Sequence, residues 1–175
     1  MGHERDSPGK LNTYLSVVIF FAASLALGDY GIRFYVSILQ VGVPHQVIAG
    51  FTEPITTKLV PAITVVFIHQ RYSVSLNYLQ SRPYWFAFIG GISLGVFERA
   101  LYIVVKGASI SPGFVVAPGM HALNAVLIAG VIFRSADSLK GFRFFGQLLA
   151  ASVLAMAIHV FWNTLGVVLI HHAFA

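Results

Sequence analysis

The sequence predicts an all-α protein, a polytopic bundle of transmembrane helices with about five spans. Three observations predict it. Hydrophobic residues make up 57% of the 175, and only 10% are charged, against roughly 25% in an ordinary soluble domain. Mean hydropathy is +0.81. The apolar residues gather into runs long enough to cross the ~30 Å hydrocarbon core of a bilayer, separated by short polar loops. So few charges cannot clothe a water-facing surface, and the solvent for most of it is lipid. No linker, internal repeat or low-complexity tract divides the chain, so residues 1–175 read as one integral membrane domain.

The first apolar stretch covers residues 11–39 and carries Gly28, Asp29, Gly31 and Arg33. It is longer than one crossing needs. It can tilt, or break near Gly28 into two pieces, which would make six spans. Asp29 and Arg33 stand at i,i+4, where an ion pair can form inside a helix. The second span covers 44–70, with Pro44 suited to a first helical turn. The third covers 84–105, with Tyr84 and Trp85 as interfacial anchors. The fourth covers 114–133, punctuated by Pro112 and Gly113. The fifth covers 142–170.

The net charge of +5 follows the loops. Arg71 and Arg82 flank one loop, and Arg134, Lys140 and Arg143 stand against Asp137 in another. These two loops fall on one side, expected to be the cytoplasm. The N-terminus is then inside and the C-terminus outside, in a prokaryotic plasma membrane. No basic stripe runs along a helix, so nucleic acid is not expected as a partner. There is no cysteine, which excludes disulfides and thiol catalysis. His3, His45, His69, His171 and His172 read as interfacial or terminal.

Ionisable side chains inside spans are functional candidates by default. The second span holds Glu53 and Lys58, the third Glu98 and Arg99, the fourth His121 with Asn124, and the fifth His159 with Asn163. Counted from the outer end of each span, Glu53, Glu98, His121 and His159 lie roughly 10 to 17 Å deep. Four helices of alternating direction thus place two carboxylates and two imidazoles in one layer. The faces agree. Ala87, Gly91, Gly95, Glu98 and Tyr102 share one side of a helix, and Gly91 and Gly95 form a small-xxx-small contact surface. Gly113, Ala117, His121 and Asn124 line one side of the next span. His159 shares a face with Trp162 and Asn163. Pro54 and Pro118 free backbone carbonyls at this depth, which protein or water must satisfy.

Such a set can activate water. A glutamate takes a proton from water, an imidazole orients it or donates to a leaving amine, and an amide stabilises an oxyanion. Alternatively, His121, His159 and Glu98 form a ligand set for a divalent metal, zinc being the obvious one, although no H-E-x-x-H motif is present.

In order along the chain, the motifs are Glu53-Pro54-Ile55-Thr56-Thr57-Lys58, then Gly91-Ile92-Ser93-Leu94-Gly95-Val96-Phe97-Glu98-Arg99-Ala100-Leu101-Tyr102. Pro118-Gly119-Met120-His121-Ala122-Leu123-Asn124 and His159-Val160-Phe161-Trp162-Asn163 follow. This ordered set, within residues 43–169, resembles the PrsW and CAAX-protease-like intramembrane peptidases, a superfamily that also takes in a scaffold-like subunit of gamma-secretase. The resemblance implies hydrolysis of peptide bonds in membrane-embedded or membrane-adjacent substrates. It makes Glu53 the general base, His121 or His159 its partner, Glu98 a further acidic member, and Asn124 and Asn163 oxyanion or substrate contacts. Lys58, Arg99 and Tyr102 would support them. The family pairs two glutamates in its first motif, whereas Thr52 and Pro54 flank Glu53 here. A non-catalytic scaffold or chaperone of the same superfamily is therefore a second reading. A small transporter, or a haem protein with His121 and His159 as axial ligands, is a third.

Overall fold

The computed structural model describes the backbone of residues 8–39, 45–72, 75–107, 112–166 and 168. Every described element is helical: α1 Pro8–Leu39, α2 His45–Pro54, α3 Val60–Arg71, α4 Asn77–Ser81, α5 Pro83–Lys106, α6 Pro112–Arg134 and α7 Phe142–Phe161. A π-helical turn, Ile55–Leu59, joins α2 to α3, and a second, Trp162–Gly166, continues α7.

Four runs are long and apolar enough to cross a membrane: Val47–Arg71, Pro83–Val105, Val116–Arg134 and Phe142–Gly166, of 19 to 25 residues each. The chain is thus an all-α, membrane-spanning bundle. Among the described residues four such runs are found, where five or six are expected. Helix α1, 32 residues long, does not stand among them, because the apolar run of its described residues is Gly9–Leu25. Nor does the helix break at Gly28, since α1 is continuous through it. Gly28 instead admits a neighbour: a Cβ there would fall 2.8 Å from Thr57 Cγ2 and 3.2 Å from Thr56 Oγ1. The side chains of Asp29, Arg33 and His45, the expected end of the last span at 170, and His3, His171 and His172 lie outside the described residues.

The core is one apolar cluster. Val17 and Phe21 of α1, Ala62, Val65 and Val66 of α3, Phe86, Ala87 and Leu94 of α5, and Ala125, Ile128 and Ile132 of α6 are all buried in it. Outward positions are apolar too, including Leu27, Phe67, Val104 and Leu149, as lipid-facing positions must be. Tyr84 and Trp85 stand half exposed at the start of α5, consistent with interfacial anchoring.

Charged loop ends gather at one end of the bundle. Gln70 donates from Nε2 to the Ala136 carbonyl at 2.6 Å, and Arg134 Nη1 lies 3.5 Å from the Tyr84 hydroxyl. Lys10 stands over the Tyr78 ring. Thus the start of α1 and the segments after α3 and α6 share what we call the basic end. There His69, expected at the interface, is buried instead, with Nε2 3.1 Å from Ser16 Oγ. Helix α1 covers it, and nothing in the local sequence of α3 announces that cover.

Prolines do not sever the second span, and hydroxyls serve the carbonyls around the turn between them. Thr57 Oγ1 donates to the Glu53 carbonyl at 2.7 Å and Thr56 Oγ1 to the Thr52 carbonyl at 3.2 Å. Pro61 cannot serve the Thr57 carbonyl, and Ser24 of α1 reaches it at 3.3 Å while also donating to Phe21 O at 2.7 Å. The freed carbonyls of a broken helix are tolerated at membrane depth when side chains satisfy them in this way.

Helices α5 and α6 make the most extensive contact in the molecule. A Cβ on Gly91 would fall 2.5 Å from Ala122 Cα, and one on Gly95 2.5 Å from Pro118 Cα. The backbones touch, and neither position has room for a methyl group. Gly91→Ala and Gly95→Ala are each expected to cost about 1–3 kcal/mol by forcing α5 from α6. Thermal unfolding in detergent checks this, and an unchanged midpoint in both variants would contradict the packing.

Candidate functional site

Two Gly-x-x-Glu steps build the site. On α2, Gly50 lies against α7, where a Cβ would fall 2.9 Å from Val160 Cα. Three residues on, the Glu53 side chain reaches His159, the neighbour of Val160. On α5, Gly95 touches Pro118 and leaves room for the His121 ring, 3.2 Å from where a Cβ would stand, and Glu98 one turn on reaches that ring. Residues i and i+3 share a helix face, so each glycine contact delivers one carboxylate to one imidazole.

The distances show how far the meeting goes. His121 Nε2 lies 2.7 Å from Glu98 Oε2, and His159 Nε2 lies 3.2 Å from Glu53 Oε2. Lys58 Nζ is 3.4 Å from Glu53 Oε1 and 3.1 Å from His121 Nδ1. Asn124 Nδ2 is 3.2 Å from His159 Nδ1. Glu98 Oε2 also lies 3.7 Å from Arg99 Nη2, and that guanidinium stands over the Tyr102 ring. One continuous chain therefore runs Arg99, Glu98, His121, Lys58, Glu53, His159, Asn124. The side chains of Lys58, His121 and His159 are 0 to 1% exposed, while Glu53 and Glu98 keep 14% and 16%. Arg99 at the end of the chain keeps 25%, so the sealed members are the lysine and the two imidazoles.

Donor and acceptor roles follow from the neighbours. The Lys58 ammonium has only donors, so His121 Nδ1 accepts from it. Nε2 of His121 then carries the ring proton and donates to Glu98. Asn124 Nδ2 donates to His159 Nδ1, so Nε2 of His159 donates to Glu53. At 3.5 Å the Glu53 Oε1 and His121 Nδ1 atoms are two acceptors held by the same ammonium. Both rings are then neutral. Two carboxylates face two cations, Lys58 and Arg99, and the buried layer carries no net charge. That balance is what a low-dielectric interior demands.

The arrangement brings together Glu53, Lys58, Glu98, Arg99, His121, Asn124 and His159, with Tyr102 at its edge. Asn163 lies in the π-turn just beyond His159. Sequence reasoning missed Gly50, whose spacing to Glu53 repeats that of Gly95 to Glu98, and Ser24 and Thr57, which hold the turn that carries Lys58.

The expected metal ligands do not assemble. Among the described residues no three His, Asp or Glu side chains form a group able to hold a metal ion. Glu98 lies beyond the Nε2 edge of His121, away from His159, and the Lys58 ammonium fills the place between His121 and Glu53 where a cation's charge would sit. The donor set does not fit zinc. A haem does not fit either: the two rings meet edge-on with centroids 5.7 Å apart, and their facing nitrogens are engaged by Glu53 and Lys58. Comparison with family models, with curated proteins and with solved structures found no match to this chain.

Lys58→Met is expected to cost about 3–5 kcal/mol, because it strands buried negative charge. Adding Glu53→Gln should recover most of that loss. The double-mutant cycle is read by thermal unfolding in detergent, and simple additivity of the two effects would contradict the ion pair.

Proposed function

We propose that this protein is an intramembrane peptidase of the glutamate type, hydrolysing peptide bonds of membrane-embedded or membrane-adjacent substrates with water activated by Glu53. One observation carries the reading. The Glu53 carboxylate lies at the centre of a buried polar layer, fixed by Lys58 and His159, yet keeps part of its surface open. An ionised carboxylate has about four acceptor sites, and these two donors fill only two.

In this reading water binds to the open edge of Glu53 and loses a proton to it as the oxygen attacks the scissile carbonyl. The carbonyl π electrons move to the carbonyl oxygen, and Lys58 is the nearest fixed positive charge to that oxyanion. When the tetrahedral intermediate collapses, the C–N bond breaks and the proton held by Glu53 passes to the leaving amine. His159, oriented by Asn124, steadies the carboxylate through Nε2–H. His121 couples Glu98 and Lys58. Asn163, one turn past His159, is assigned to substrate. The resemblance to the PrsW and CAAX-protease-like peptidases supports the same assignment of the four motifs. The missing second glutamate of the first motif is offset by Lys58, which supplies charge at Glu53, and by Glu98, which orients His121. Positive residues at the basic end support a cytoplasmic location for it, with the start of α1 on that side of a prokaryotic plasma membrane.

A second reading, a non-catalytic scaffold of the same superfamily, is favoured by a separate observation: all four imidazole nitrogens already have partners within the chain. Imidazoles satisfied this fully specify packing as well as chemistry.

The test is Glu53→Gln, assayed on a panel of single-span peptides in proteoliposomes with cleavage read by mass spectrometry. The peptidase reading expects turnover to fall by at least about a hundredfold, the scale of losing a general base, with expression retained. Turnover equal to wild type would remove Glu53 as the base. No cleavage by wild type, together with a lowered unfolding midpoint in the variant, would favour the scaffold.

A further inference from the structure

At the basic end, far from Glu53, the end of α6 and the first turns of α7 part around an open groove. Its volume is about 310 Å³, and Tyr84, Val131, Arg134, Ser135, Gln147 and Ala150 line it. Four of those six are polar, which is unusual on a surface that faces lipid. Gln147 shares its face of α7 with Ala150 and Leu154, both exposed apolar residues. It stands five residues into that helix, roughly 7–8 Å along its axis, at the level where hydrocarbon gives way to headgroups.

The polar wall is built rather than scattered. Gly130 lets the Tyr84 ring lie directly on α6, since a Cβ there would fall 2.5 Å from the ring. That seat brings the Tyr84 hydroxyl to 3.5 Å from Arg134 Nη1. Arg134 is exposed and Ser135 follows it at the helix end. A guanidinium, two hydroxyls and an amide therefore surround one space, with Val131 and Ala150 as its apolar floor. Arg134, Lys140 and Arg143 outnumber Asp137 in the adjoining segment, so the mouth is positive.

We propose that this groove binds the phosphodiester headgroup of an anionic phospholipid. Arg134 supplies the charge-assisted donors, Tyr84, Ser135 and Gln147 complete the cradle, and the acyl chains lie along Ala150 and Leu154. A free phosphate would use the same donors, but it has no need of the apolar floor or of an opening toward lipid. Basic pockets between helices at a cytoplasmic membrane face hold anionic headgroups by this physics. The site is independent of the proposed hydrolysis.

The test is native mass spectrometry of the full chain in detergent, titrated with phosphatidylglycerol. One tightly held lipid is expected. Arg134→Gln should weaken it about tenfold, the scale of losing charge-assisted bonds. Ala150→Phe, which fills the groove and leaves every charge in place, should weaken it comparably. Lys140→Gln, an equal charge loss in the same segment but outside the groove, should leave it bound. Retention of the lipid in both groove variants overturns the proposal, as does equal weakening by Arg134→Gln and Lys140→Gln, which would mean diffuse surface charge. Full displacement by millimolar inorganic phosphate would also overturn it in favour of a simple anion site.

Discussion

The ion pair between Lys58 and Glu53 is the constraint on which the remaining architecture depends. A lone carboxylate in hydrocarbon is expensive, and two in one layer are worse. Lys58 and Arg99 balance Glu53 and Glu98, leaving both imidazoles free to be neutral. Neutral rings can each donate at one nitrogen and accept at the other, so they act as connectors rather than as additional charges. The result links four membrane helices at one height. Sliding any of them by a turn would move its polar member about 5.4 Å and strand a partner in an apolar medium. Hydrophobic packing alone fixes no such register, because lipid is as apolar as the helix faces.

Holding Lys58 in that layer requires an irregular backbone. In a regular α-helix residues five apart fall on different faces, and Glu53 and Lys58 are five apart. The π-turn Ile55–Leu59 widens the helix where they must meet, and a π-turn advances less than an α-turn does. Val60 N–H bonds to the Ile55 carbonyl across it. Pro54 and Pro61 bracket the turn and remove the donors that would otherwise keep the helix α-helical. Ser24 then satisfies the Thr57 carbonyl that Pro61 sets free, and threonine hydroxyls bond the Thr52 and Glu53 carbonyls beside the turn. The residues that look like helix breakers in the sequence are therefore what allow a single helical run to offer a carboxylate and its counter-ion together. The second π-turn, Trp162–Gly166, follows His159 directly, so both irregular turns adjoin the polar layer.

The layer itself was legible because polar residues in a span stand out against apolar neighbours. Depth counting placed Glu53, Glu98, His121 and His159 together, and helical periodicity turned Glu98 toward Gly91 and Gly95. Pairing was not legible. Depth is one coordinate, and which carboxylate faces which ring depends on the lateral order of helices, which the Gly50–Val160 and Gly95–Pro118 contacts decide. The repeated Gly-x-x-Glu step was present in the chain but gains meaning only once each glycine has a neighbour. Grouping Glu98 with both histidines as metal ligands failed for the same reason: equal depth does not ensure a common point. His69 looked interfacial from its position at a helix end, and only the cover supplied by α1 buries it.

A fully satisfied network and a reactive one differ in spare capacity. His121 and His159 have none, since every ring nitrogen is engaged, and Lys58 is completely enclosed. Glu53 differs from them on both counts. Its oxygens receive one donor each from Lys58 and His159, and the sites left over lie on a carboxylate that is not fully covered. A purely structural ion pair gains from closing that last opening with another apolar side chain, because residual water weakens the attraction. A base that must meet water needs the opening, and it needs the charge held still while the proton moves. The partial exposure of Glu53, beside the sealed Lys58 and His159, is thus the feature on which the proposed hydrolysis rests and for which a polar clasp has no use.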